Sequence, residues 1–398
     1  MSRHCRCLNC ITPPHLLKKL LESTNADVRQ AALNTLIATA RLRGERAVRS
    51  LLAAAAPGNG RRTVFDLHHG TFLSSATTVR TEDGPLASDP SANRAFDGLG
   101  KTRDFYDKIL GRNSIDDHGM RLDGYVHRGR KYNNAFWDGQ HMVFGDGDGV
   151  IFTDFTGSLD VIGHELTHGV TEFAAGLEYH NQSGALNESV SDVFGSVVKQ
   201  WTLKQTADKA DWLIGADIFT PSIGADALRS MKAPGTAYNN PTMGKDPQPA
   251  HMRNYVELAD TEEEDFGGVH INSGIPNKAF FLTATNIGGY SWEAPAHIWY
   301  ESLKASSPNT QFKDFAETTY AKAGLLYGGG GLQQRAVLAA WGEVGIEISK
   351  AGGGPAKDDS KDSGKEGDSL AALTDEIEKL STHIQELTAE IAALKKSK

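Results

Sequence analysis

His164-Glu165-Leu166-Thr167-His168 places two imidazoles four residues apart with a carboxylate directly after the first. On a helix, residues four apart share a face, so both rings reach one point in front of it. Neutral imidazole binds zinc, and a catalytic zinc takes three protein ligands and keeps one position open. Glu165 stands where a base could take a proton from water at that position. The motif alone arises by chance in roughly one chain per hundred. Here it lies within SLDVIGHELTHGVTEFAAG, which predicts an amphipathic helix with Ser158 as candidate cap and Gly176 as stop. A second helical run, ALNESVSDVFGSVVKQW, follows and offers Glu188 as third ligand. Asp192, four residues further on the same face, suits a carboxylate accepting the ring N–H of His164. An exposed helix charge is the alternative for Asp192.

These residues need a scaffold that holds two helices still. At 398 residues the chain suits two or three folding units, and 39% hydrophobic with 23% charged residues marks a globular protein. Residues 1–56 predict a helical unit. Pro13-Pro14 opens one helix with Leu16, Leu17, Leu20 and Leu21. Asn25 or Asp27 caps a second, with Val28, Leu33, Leu36, Ile37 and Ala40 as its apolar stripe. Residues 57–157 predict a β-rich lobe with a helix near 97–112, and 158–347 a mainly helical lobe with further helices near 274–285, 293–305, 311–323 and 331–342. A Gly- and charge-rich linker spans 348–369. Residues 370–398 predict a coiled coil, with Leu370, Ile377, Ile384 and Ile391 on one core position and Leu373, Leu380, Leu387 and Leu394 on the other. That pattern favours a parallel pair of strands, hence a homodimer, against the alternative of one helix folded back on the body.

The stretch GHELTHGVTEFAAGLEYHNQSGALNESVSDVFG resembles the thermolysin family of neutral zinc metallopeptidases. The likeness extends to YNNAFWDGQHMVFGDGDG, DIFTPSIGADALRSM and GGVHINSGIPNKAF, and spans roughly residues 63–347. The Pro-Pro-His-Leu-Leu head is similar to the short propeptide of the protealysin subgroup. The resemblance implies an α+β, two-lobed zincin with its active-site helices between the lobes, and a zinc-dependent endopeptidase held as a precursor by its own propeptide. It implies ligands His164, His168 and Glu188, and Glu165 as general base. Tyr179 and His270 would stabilise the oxyanion, with Asp265 orienting His270. Asn134, the backbone of Ala135, and Arg229 would bind the substrate main chain. Phe152, Phe155, Val161, Ile214, Ile218 and Leu228 would line an apolar pocket, favouring cleavage before Leu, Phe, Ile or Val. Packing or surface roles are the alternatives for each of these residues taken alone.

The sequence departs from the family in one place. Asp160 and Asp211 match two ligands of its paired calcium site, but Lys199, Leu213 and Ala216 stand where others belong. Calcium needs oxygen ligands. The expectation is that the double site is lost, with Lys199 as an internal cation, and that a single calcium near Thr220 and Asp226 remains compatible with the sequence.

The net charge of −9 argues against a generic nucleic-acid binder. Residues 1–50 carry nine basic and three acidic side chains, net +6, so the rest carries −15. Mutual attraction of head and body, and a solvated basic helix face, are both consistent with this. No apolar run is long enough for a bilayer. The first residues lack the apolar centre of a standard signal peptide, which leaves export by another route or a cytoplasmic location. Cys5, Cys7 and Cys10 are the only cysteines, so the body contains no disulfide. The three, after His4, read as a thiolate blocking the open zinc position, as a metal site of their own, or as a reduced patch. Propeptide excision is expected near 50–57, where Ser50-Leu51 and Leu51-Leu52 fit the specificity. A metal-stabilised scaffold without catalysis and an exopeptidase are the competing functions. Glu165, Tyr179 and His270 weigh against the first, and the lack of an obvious acidic grip for a free amine against the second.

Overall fold

The computed structural model describes residues 9–49 and 59–349. The predicted coiled coil, most of the linker before it, the excision region, Cys5 and Cys7 lie outside them. The N-terminal lobe is built on a six-stranded sheet. Its strands are β1 (Asn9–Cys10), β2 (Arg62–Asp66), β3 (Thr77–Thr81), β4 (Leu122–Val126), β5 (Ala135–Trp137) and β6 (His141–Phe144), in the order β1-β5-β6-β4-β2-β3. Parallel pairing of β4 with β2 and β6 buries β4 completely. β5 runs antiparallel to β6, and β1 pairs antiparallel along its other side, Cys10 opposite Phe136. Without β1 that side of β5 would be an open edge with unpaired backbone groups.

Residues 9–49 therefore do not form a separate unit. They share one compact body with the two lobes, through β1, α1 (Pro14–Leu20) and α2 (Ala26–Arg49). Asn25 caps α2, its side chain accepting the Asp27 N–H at 2.9 Å. The buried face of α2 is Val28, Ala31, Ala32, Thr35 and Thr39, whereas Leu33, Ile37 and Ala40 are exposed. The expected apolar stripe is thus corrected. The helix docks through small and hydroxyl residues whose polar atoms find partners: Thr35 Oγ1 accepts the Asn133 N–H, and Thr39 Oγ1 lies 3.2 Å from the Tyr132 hydroxyl.

Helix α3 (Pro90–Leu110) starts seven residues before its expected position. Asp89 caps it by accepting the N–H groups of Ser91 and Ala92, and Pro90 occupies the first turn, where a missing N–H costs nothing. Helices α4 (Leu159–Ala174) and α5 (Asn181–Leu203) cross at the junction of the lobes. A Cβ on Gly195 would lie 2.4 Å from the Asp160 carbonyl oxygen, and one on Gly163 would lie 3.0 Å from the Gly195 Cα. Only hydrogen at those two positions allows so close a crossing. Ser158 precedes α4 but gives its hydroxyl to the Asp160 carboxylate rather than to the helix N-terminus. The second lobe packs α6 (Gly274–Ile287), α7 (Ala294–Lys304), α8 (Phe312–Tyr327) and α9 (Leu332–Glu343) around Phe280, Trp299, Phe315 and Trp341. No described helix is long and apolar enough to cross a membrane.

Candidate metal centre

Every residue of α4 from Asp160 to Thr171 is buried, so its polar side chains must find partners inside the protein. His164, His168 and Glu188 converge, each 1% exposed or less, with one ligating atom apiece within 4.8 Å of the others. His164 Nδ1 lies 2.8 Å from Asp192 Oδ1, and His168 Nδ1 lies 2.8 Å from Asn187 Oδ1. Those acceptors draw the ring protons to Nδ1 and leave both Nε2 atoms with lone pairs, 3.0 Å apart. Glu188 adds carboxylate oxygens at 3.5 Å from His164 Nε2 and 3.4 Å from His168 Nε2, and its Oε2 has no hydrogen-bond partner among the described residues. Three acceptors facing one another in a buried space are a repulsive set unless a cation lies between them. Two imidazoles and one carboxylate fit zinc.

Asp192 does more than hold His164. Arg229 grips it in a fork, Nε to Oδ2 and Nη2 to Oδ1, both 2.8 Å, and Asn277 Nδ2 donates to Oδ2 at 2.8 Å. Burial raises the pKa of Asp192, but Arg229 and then His164 outweigh it and hold the group ionised far below the usual range. Sequence patterns do not single out Asn187, Asn277 or Ser191, whose hydroxyl lies 3.1 Å from His168 Nδ1. The rule that a ligating imidazole needs an acceptor on its second nitrogen would have found Asn187, the neighbour of Glu188.

Glu165 lies beside the triad, with Oε2 accepting the Trp137 N–H at 3.0 Å and Oε1 without a partner among the described residues. Burial, then the Glu188 charge, raises its proton affinity well above the ordinary value. Tyr179 donates its hydroxyl proton to Glu188 Oε1 and lies 3.2 Å from His270 Nε2. Burial, then Glu188, keeps that phenol protonated. Asp265 and Phe266 adopt left-handed backbone (φ 56° and 52°), followed by Gly267 and Gly268 at 82° and 75°. This costly run turns the Asp265 carboxylate back onto His270, at 2.7 Å from Nδ1 and 2.9 Å from the backbone nitrogen. Burial opposes the His270 charge, but Asp265 and Glu188 raise its pKa to about 9.

The segment Cys10-Ile11-Thr12 runs through this centre. The Cys10 carbonyl oxygen lies 3.1 Å from His270 Nε2. The Ile11 N–H donates to the Ala135 carbonyl at 3.3 Å and favours ionised Glu165, while the Ile11 carbonyl accepts from Arg229 Nη1 at 3.2 Å. The Thr12 N–H donates to Asn134 Oδ1 at 3.0 Å. Cys10 thus turns its carbonyl to the centre. Its side chain packs with Leu67, Tyr125, Tyr132, Phe136 and Val143, outside the metal triad, which removes Cys10 as the blocking thiolate. Ile11 is wholly buried and joins the apolar core that contains Phe152, Phe155, Val161, Ile214, Ile218 and Leu228, each 2% exposed or less. At the rim, Arg43 pairs with Glu262 at 2.5 Å and Lys18 donates to the Glu263 carbonyl, so basic residues of the head do meet the acidic body.

A second charged cluster lies one turn earlier on α4. Lys199 Nζ donates to Asp160 at 3.1 Å and to Asp211 at 2.9 Å. Burial opposes this charge, but Asp160 and Asp211 raise its pKa above the usual range. Thr220 donates its hydroxyl to the Val150 carbonyl, and Asp226 is exposed.

Comparison with known proteins accords with this geometry. A model of the thermolysin metallopeptidase catalytic domain matches residues 53–172, and one of the thermolysin metallopeptidase alpha-helical domain matches 175–346. An extracellular metalloprotease of Pectobacterium carotovorum is 45% identical over 85% of this chain and 96% of its own. Protease PrtS of a Photorhabdus strain is 41% identical over 85% and 92%. The solved precursor of protealysin, a metalloproteinase from Serratia proteamaculans, superposes with a TM-score of 0.76 at 46% identity, covering 85% of this chain and 99% of that one. The chain belongs to the thermolysin family of metallopeptidases and is a zinc-dependent metalloendopeptidase with protealysin-like architecture.

Proposed function

We propose that Glu165, His270, Tyr179, Asn134, Ala135 and Arg229 perform the hydrolysis, and that residues 9–49 block it from within the same chain. The observation carrying this reading is the run of main-chain contacts made by Cys10, Ile11 and Thr12. Each matches what a substrate needs around its scissile bond: a donor on the carbonyl, an acceptor on the next N–H, and a cation on the following carbonyl.

His164, His168 and Glu188 would hold zinc, which would supply a Lewis acid to polarise the peptide carbonyl and make water more acidic. Glu165, held by the Trp137 N–H with its other carboxylate oxygen turned to the centre, takes the proton of the attacking water and passes it to the leaving amine. His270, kept protonated by Asp265, and Tyr179 donate to the oxygen that gains charge, each worth about 10²–10³ in rate. Asn134, Ala135 and Arg229 hold the main chain beyond the bond. The six apolar residues receive the side chain there, where burial of a Leu or Phe contributes ~1.5–3 kcal/mol. Ile11 supports this preference, being an aliphatic side chain at the corresponding place.

We further infer that Lys199 replaces the paired calcium ions, while Thr220 and Asp226 leave at most a single calcium. The 370–398 segment dimerises the enzyme. The Pectobacterium relative's description as extracellular supports a site of action outside the cell.

Hydrolysis of a blocked peptide containing Gly-Leu tests the reading. The chain lacking residues 1–56 is expected to cleave before Leu, losing activity with a zinc chelator or with Glu165→Ala, and the full chain to be latent. Zinc binding without cleavage by either form would refute it.

A further inference from the structure

The prosegment leaves the cleft at Pro13-Pro14 and enters α1, where His15, itself half-buried, lies between buried Pro14 and Leu16. His15 Nε2 lies 3.2 Å from the Tyr238 hydroxyl. His15 Nδ1 is covered from solvent and has no hydrogen-bond partner among the described residues. The charged groups that act on the ring are Asp265, His270, Arg229 and Lys18. Three of these are cationic. The one anion, Asp265, already serves His270 through both its oxygens. The site therefore accepts a neutral imidazole and opposes an imidazolium, which would bring a further positive charge beside Arg229 and His270 with an N–H unsatisfied.

We propose that His15 is an acid-sensitive pin: its protonation expels α1 from the catalytic body and lifts Cys10-Ile11-Thr12 off the metal centre, so that mild acid relieves latency. This rests on residues 9–49 being the inhibitor. In the docked state burial lowers the His15 pKa to about 4, the pull of Asp265 being offset by His270, Arg229 and Lys18. In the released state the ring returns to the ordinary value of 6.5. Release then takes up a proton at any pH between these values. Docking is at full strength above 6.5 and weakens as pH falls towards 4, by about thirtyfold between pH 7.5 and pH 5. Arg229 and Lys18 keep their charge across this window, and His270, with its pKa near 9, does so in the docked state. The imidazole of His15 is the group that changes.

Hydrogen–deuterium exchange of the zinc-loaded full chain, carrying Glu165→Gln to prevent self-cleavage, tests this. Corrected for intrinsic rates, exchange of the amides of residues 10–20 is expected to rise about thirtyfold from pH 7.5 to pH 5, with α4 and α5 still protected. His15→Gln, which keeps a partner for Tyr238 but cannot charge, is expected to stay protected at pH 5. If that variant undocks at pH 7.5, His15→Phe makes the same comparison. Equal wild-type protection at both pH values would overturn the proposal, as would a rise of the same size in the uncharged variant. The readout needs no catalysis. A truncated chain that cleaves nothing would refute the inhibitor reading and with it the relief of latency, whereas the acid undocking of α1 is decided by the exchange data alone.

Discussion

Helices α4 and α5 carry two buried charge clusters that are neutralised in opposite ways. At the metal centre, His164, His168 and Glu188 present only acceptors to one another, and the set is incomplete without an outside cation. One turn earlier on α4, Asp160 is met by a cation from the chain itself, Lys199, together with the Ser158 hydroxyl and the Gly215 N–H. The first arrangement leaves a coordination position for chemistry. The second closes a similar space with an ammonium group on a flexible stem, and so stabilises without reacting.

The sharpest way to separate the two is to change one residue in each. Glu165→Gln removes the base and keeps the Trp137 N–H bonded. Activity of the form lacking residues 1–56 is expected to fall about 10³-fold or more with zinc content and melting temperature unchanged. Lys199→Ala reverses that signature. It leaves Asp160 buried without its cation, and about 3–5 kcal/mol of stability is expected to go, lowering the melting temperature by roughly ten degrees. Zinc content should hold. Lys199→Asp sharpens the contrast further, since three carboxylates would then surround the site and calcium should raise the melting temperature of the variant but not of the wild type. A wild type stabilised by calcium at this site would contradict the internal-cation reading.

Sequence carried the metal centre far because helical spacing fixes which side chains meet. His164 and His168 follow from i,i+4 geometry, and Asp192 from Glu188 by the same rule. The lobes followed from the change of hydrophobic period near Ser158. The prosegment was less legible for a physical reason. A two-residue strand such as Asn9–Cys10 has no periodicity to detect and exists because β5 offers an open edge. Likewise α2 buries Ala and Thr rather than Leu and Ile, since the surface it meets is polar enough to hydrogen-bond it. The outer layer of the centre, Asn187, Ser191 and Asn277, has no spacing signature because neutral amides and hydroxyls on a buried helix resemble ordinary packing.

That outer layer gives a smaller effect of a different kind. Asn187→Ala removes the nearer acceptor from His168 Nδ1 and leaves the Ser191 hydroxyl at 3.1 Å, which loosens the hold on the tautomer that turns the Nε2 lone pair to the metal. Zinc affinity, measured by competition with a chromogenic chelator, is expected to fall 10–100-fold. Lys199→Ala should leave it unchanged. Equal losses in both variants would mean that α4 and α5 respond as one unit and that the two clusters are not independent.

A third cluster sets the lower limit of the comparison. His127 lies between Asp146 and Asp89, 2.8 Å from each, on the surface of the N-terminal lobe. Here too the chain supplies its own cation, but water reaches it. The hydrogen bond that His127 donates to Asp146 raises its pKa to about 9 against partial burial, with Asp89 assisting. Because the folded value exceeds the unfolded one of 6.5, the stabilisation is complete below 6.5 and is lost as pH rises through 9. Solvent screening holds it to about 1 kcal/mol or less. Urea denaturation of the zinc-loaded chain at pH 6.5 and 9.5 should show that loss in the wild type and not in His127→Gln. A loss as large as that from Lys199→Ala would mean that burial does not separate these two internal cations, and that the closed cluster on α4 owes its strength to something other than the exclusion of water.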